Sequence, residues 1–215
     1  MRSSVGSTST PRKPKRQWVA LSQSTPHIAP APQPGSKDPV FSSQQERSEH
    51  AIQEFEKIAA KYGDPYRSQA RYFIATNELV TDRLKAETDL QSLSQGSGEV
   101  AVLAKYALAQ AKESDGQLDE AARIYGELAK LNSAVVTTDT ATLRLAVVYE
   151  KQGKKKESAD ILFNIVSSAR NARDKDGKPI PESSASREAA QELLKVDPTR
   201  HAQLPPPPSP LALGL

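Results

Sequence analysis

The chain has 215 residues, 37% of them apolar and 5% aromatic, with a net charge of +3 and no cysteine. That length allows one medium domain or a short repeat array with tails, and the lean apolar content suits repeats packing Ala and Leu against their neighbours better than a globule with one centre. The absence of cysteine excludes disulfides and thiolate metal sites, and no stretch approaches the roughly 20 apolar residues of a spanning helix.

Residues 1–43 hold six basic residues (Arg2, Arg12, Lys13, Lys15, Arg16, Lys37) against Asp38, so the remainder carries a slight acidic excess. The basicity belongs to a tail, and an acidic body argues against a nucleic-acid footprint over the folded surface. Seven of the 16 prolines lie in this tail among Ser, Thr and Gln, a composition that reads as disordered. Its one apolar run, Trp18 to Leu21, is too short for a signal peptide or anchor.

From residue 44 the apolar residues recur three and four apart, first in Ala51, Ile52, Phe55, Ile58 and Ala59. Ser43 with Glu46 makes a capping box ahead of a helix over 44–62, and Asp64 followed by Pro65 makes an N-cap and first-turn pair for a helix over 65–82. Further helices are predicted over 84–94, 99–114, 118–131, 138–152, 155–172 and 185–196, with Gly63, Gly116 and Gly153 punctuating turns. Short connections make sequential helices antiparallel neighbours. The stretch 173–184, around Asp174-Lys-Asp-Gly-Lys-Pro, reads as an exposed loop. The domain organisation expected is a basic tail over 1–43, a helical repeat domain over 44–197 and a Pro-rich disordered tail over 198–215.

A small residue followed by bulky apolar residues four and seven later occurs four times: Ala51, Phe55, Ile58; Ala86, Leu90, Leu93; Ala121, Tyr125, Leu128; Ser158, Leu162, Ile165. The repeats are spaced 35, 35 and 37 residues apart. In the preceding helices Leu108-Ala109 stands to Gly116 as Leu145-Ala146 stands to Gly153. Small residues let two backbones approach, the glycine turns the chain, and the bulky residues fill the space against the next hairpin. This pattern over residues 44–196 resembles the tetratricopeptide repeat (TPR), with Lys112, Ile74 and Thr81 as departures from it. The fold class it implies is all-α, a TPR-like solenoid of antiparallel hairpins between two tails. The helix holding Ala51 matches the second half of a hairpin, and its first half is expected where the N-terminal tail lies, as in a truncated or mis-started version of a longer ancestor.

The wider arrangement is similar to the bacterial envelope TPR proteins that include the ancillary subunit of the Sec translocon and related cell-division coordinators. That resemblance implies the periplasmic face of the inner membrane, although this chain as written carries no signal or anchor and reads as cytoplasmic.

No catalytic constellation emerges. His27, His50 and His201 lack zinc spacing, and His50 is expected on the solvent side of its helix. The Asp174, Asp176, Gly177 trio fails the calcium-loop pattern, since Ala172 and Ser183 stand where carboxylates are needed. P-loop, GxGxxG and GxSxG sequences are missing. The chain is therefore read as a non-catalytic adaptor without cofactor or metal, taking a protein or peptide partner. The resemblance places that partner on the concave side, at positions Arg71, Ala75 and Glu78, then Tyr106, Gln110 and Glu113, then Leu143, Val147 and Glu150. Of these, Arg71, Glu78, Tyr106, Gln110, Glu113 and Glu150 are the candidate binding residues, while Ala75, Leu143 and Val147 are at least as readily packed against neighbouring helices. The rival reading is a nucleic-acid or anionic-membrane tether acting through Arg12-Lys13-Pro14-Lys15-Arg16.

Overall fold

The computed structural model describes residues 41–208. The basic cluster and all but the last three residues of the N-terminal tail lie outside them, as does the C-terminal tail beyond 208. The described residues form an all-helical fold: α1 (Gln44–Lys61), α2 (Tyr66–Thr81), α3 (Arg83–Ser94), α4 (Gly98–Ser114), α5 (Leu118–Leu128), α6 (Thr138–Lys151), α7 (Lys155–Asn171), α8 (Ser184–Val196) and the single turn α9 (Pro198–His201). None of these helices is long and apolar enough to cross a membrane. The eight helices expected from periodicity are all present.

Local chemistry sets the boundaries. Ser43 Oγ accepts from Glu46 N at 3.1 Å, as a capping serine should. The return bond differs from the capping-box expectation, because Glu46 Oε2 accepts from Ser42 N at 2.8 Å instead of reaching Ser43. Helix α2 begins one residue later than expected, at Tyr66, with Asp64 Oδ1 accepting from Ser68 N at 3.1 Å. Gly116 and Gly153 adopt φ +73° and +78°, and the amides that follow them close the helix ends: Gln117 N reaches Lys112 O and Lys154 N reaches Tyr149 O, both at 2.9 Å. Thr81 stands where those glycines stand. Asp82 compensates there by donating its backbone amide to Glu78 O at 2.7 Å while its Oδ1 accepts from Lys85 N at 3.1 Å.

Each helix packs on the next in sequence, and α2 also lies against α4, and α6 against α8. The α1–α2 end is closed by Phe55, Ile58 and Ala70, with the Phe55 and Phe73 rings stacked at 4.9 Å. Ile74, the departure from the small-residue position, packs partly buried against this group. A central core from α2 to α6 holds Leu90, Leu108, Ile124, Tyr125 and Leu128, and a second core from α6 to α8 holds Leu143, Leu162, Val166 and Leu193. The repeated triplets supply much of this burial: Leu90, Tyr125, Leu128 and Leu162 are each fully buried. The 173–183 loop is mostly exposed and folds on itself through an Arg173–Pro179 bridge.

The C-terminal expectation needs correction. The chain does not become a tail at residue 198: α9 packs on α7 and α8, and Leu204 packs against the second core. Asp197 before Pro198 is a cap followed by a first-turn proline, its Oδ1 accepting from Arg200 N at 2.9 Å, the arrangement expected at Asp64-Pro65, where Pro65 instead takes the cap position.

Candidate functional site

The candidate binding positions lie on α2, α4 and α6, and among them Ala75 and Leu143 are buried in the core. Arg71 and Gln110 are exposed. Tyr106 is half-buried, its ring edge-on to Tyr125 at 5.9 Å, and burial pushes its hydroxyl up, with Arg144, Glu113 and Glu188 within electrostatic reach. Glu150 is half-buried and within reach of the Lys195 ammonium. Val147 lies half-buried against the second core. His50, expected to face solvent, is half-buried beside the Phe41 ring at 5.2 Å.

Two candidates are not presented to solvent as expected. Glu113 is 6% exposed and acts as a hub: its carboxylate accepts from Tyr125 Oη at 3.0 Å, from Arg144 Nη2 at 2.6 and 2.7 Å, and from Lys151 Nζ at 2.7 Å. A glutamate in the last turn of α4 faces the negative end of the helix dipole, so it requires cationic partners. The next hairpin provides them from α6. Burial alone would raise the Glu113 carboxyl, but the hydrogen bonds from Lys151 and Arg144 and the Arg144 charge outweigh it and hold the group below the usual glutamate range. The same network raises Arg144 against its own desolvation, and burial raises Tyr125.

Glu78, one repeat earlier, is 5% exposed. Lys85 Nζ bonds its Oε1, while Oε2 has no hydrogen-bond partner. Leu90 stands 35 residues before Tyr125 and supplies no hydroxyl, which leaves this earlier copy of the hub less complete.

The residues that sequence reasoning missed are Arg144 and Lys151. They stand seven apart, two turns of one helix, and both therefore face the same way. That spacing was a readable signal. Tyr125 was read only as a bulky filler, and its hydroxyl is what joins α5 to the hub.

Other polar contacts bind successive helices together. Arg83 reaches from α3 to Asp115 at 2.7 Å and to Ala111 O at 2.8 Å, Lys112 meets Glu87 at 2.6 Å, and Gln152 Nε2 donates to Asp119 at 2.8 Å. Lys112, which departs from the repeat pattern, thus ties α4 back to α3. A shallow depression of about 260 Å³ between α3, α4 and α5 is polar, and its cations Lys105 and Arg123 are both engaged by Glu127. Among the described residues no cluster of three metal-ligating side chains occurs.

Neither a protein-family model, nor a curated protein, nor a solved structure matches this chain.

Proposed function

We propose that the chain is a tetratricopeptide-like array working as a non-catalytic protein-interaction module, which holds an extended peptide or a partner helix on the face formed by α2, α4, α6 and α8. The observation that carries this reading is the asymmetry of packing. The first helices of successive hairpins touch past the helix between them, α2 to α4 and α6 to α8, and α4 meets α6 through Glu113, Arg144 and Lys151, whereas α3 does not reach α5 in the same way, nor α5 α7. Such stacking brings one set of helices together as the inner surface of a curved array. On that surface the Glu113 hub fixes Arg144 and Lys151 from below, with Tyr106 beside them and Gln110 exposed on the same helix, so polar side chains are pre-positioned and lose little freedom when a partner arrives.

The test uses the full chain, a Tyr106→Ala/Gln110→Ala variant, a control Gln53→Ala/Lys57→Ala variant on the exposed side of α1, and a chain lacking residues 1–43. Partners captured by cross-linking should be lost from the inner-face variant and kept by the control and by the shortened chain. Capture that survives in the inner-face variant but disappears with residues 1–43 would instead favour the basic tether.

A further inference from the structure

The last full helix, α8, is followed by a single turn instead of a second helix of its own length, and an extended strap completes the end of the second core. The strap is held at defined points. Leu204 packs against the core built by α6, α7 and α8, and Arg170 Nη1, from α7, donates to Pro205 O at 2.7 Å. Arg170 is itself held by groups outside the strap: its Nε donates to Glu182 Oε1 at 2.9 Å, the two side chains are 12% and 10% exposed, and Ser186 Oγ donates to the same carboxylate oxygen at 3.2 Å. Arg200, from α9, lies over the Phe163 ring at 5.1 Å and pairs with Asp160.

We propose that this end of the molecule is a binding site for an extended proline-rich segment with a leucine before its first proline, filled in this chain by its own Leu204–Pro205 and able to take the same kind of segment from another chain when its own is released. The site shares α8 with the inner face but is gripped by Arg170 of α7 and uses none of Tyr106, Gln110, Arg144 and Lys151, so it does not rest on the inner-face reading.

Three features support the assignment. The donor is prebuilt, since a guanidinium held in a mostly buried ion pair points at a backbone carbonyl and needs no particular side chain from the residue it grips. The ligand is prebuilt as well: the run Pro205 to Pro208 has no N–H to satisfy, favours the extended polyproline form and loses little freedom on docking, while its carbonyls remain free acceptors. The strap is also lightly held. Beyond the Arg170 bond it relies on one partly buried leucine and on Arg200, with its Phe163 ring contact and partly exposed ion pair, which makes it one of the segments that open locally before the helices beneath it.

The experiment measures binding of a fluorescent peptide copying residues 197–208 to the full chain, to Leu204→Ser, and to Leu204→Ser/Arg170→Ala. Freed of its leucine anchor, the Leu204→Ser chain should bind the peptide at least tenfold more tightly than the unaltered chain, whose site is occupied, and the added Arg170→Ala should reverse that gain. A second peptide with serine in place of the leucine should bind Leu204→Ser at least tenfold more weakly than the first, which decides the question if the double variant loses its helical circular-dichroism signal. Equal binding to the unaltered and Leu204→Ser chains, no binding to a folded Leu204→Ser chain, or indifference to the leucine of the peptide overturns the proposal. So does a Leu204→Ser chain that no longer folds, because the strap is then part of the core and not an occupant.

Discussion

Arg144 and Glu113, 31 positions apart in the chain, meet through Arg144 Nη2, which lies 2.6 Å from one oxygen of the buried carboxylate and 2.7 Å from the other. Because Tyr125 and Lys151 close on the same carboxylate, one acid joins α4, α5 and α6. Arg144→Ala leaves that buried charge with two partners in place of three. Its cost should be about 2–4 kcal/mol, below the top of the range for breaking a buried pair because the Arg144 side chain keeps 27% of its surface in water. Urea denaturation of Arg144→Ala, Glu113→Gln and the double variant measures it, and the double variant should lose less than the sum of the two. Additive losses would mean that the pair does not couple the hairpins.

The hub also sets an acid sensitivity. Glu113 is held below its ordinary value of 4.5 in the folded chain, so the unfolded chain takes up a proton first as the pH falls. The stabilisation is complete above about 4.5 and is lost as the pH drops through the lowered folded value. Other carboxylates, among them Asp115 and Glu127, are lowered too and contribute to any acid limb. The informative quantity is therefore the difference: the urea midpoint of Glu113→Gln should fall less steeply between pH 5 and pH 3 than that of the unaltered chain, and parallel limbs would contradict the assignment.

Helix positions were legible because apolar spacing, capping residues and turn glycines all speak through near neighbours in sequence. The hub was not legible for the opposite reason. The resemblance assigns Glu113 to the concave side, but whether that position meets water or another helix depends on α6, whose Arg144 and Lys151 stand more than thirty residues further on. The same limit hid the strap. Its prolines suggested a free tail, whereas Asp197-Pro198 forms a cap and first-turn pair, and Leu204 gains its partners only from α6, α7 and α8.

Helix α3 provides a contrast within one element. Leu90 is fully buried in the central core and Leu84, six residues earlier, is 80% exposed. Leu90→Ala should cost about 3–5 kcal/mol through lost transfer free energy and the cavity left behind. Leu84→Ala should change stability by no more than about 0.5 kcal/mol. Thermal and urea unfolding of the two variants check the pair, and a large loss from Leu84→Ala would place a contact on that leucine that the fold does not provide.

Two glycines should respond to alanine with opposite signs although neither has anything within 4 Å of an added Cβ. Gly153 holds φ +78° at the end of α6, where an alanine must adopt a left-handed conformation. That strain costs about 1–2 kcal/mol, and no relief of packing offsets it. Gly126 sits inside α5 and lacks a positive φ, so alanine there removes backbone freedom from the unfolded chain and should stabilise by about 0.5–1 kcal/mol. Because steric room is equal at both sites, the sign of each effect isolates backbone conformation. A destabilising Gly126→Ala would show that the α5 backbone at that turn departs from regular helix, and a neutral Gly153→Ala would show that the turn between α6 and α7 relaxes without unsettling the stack.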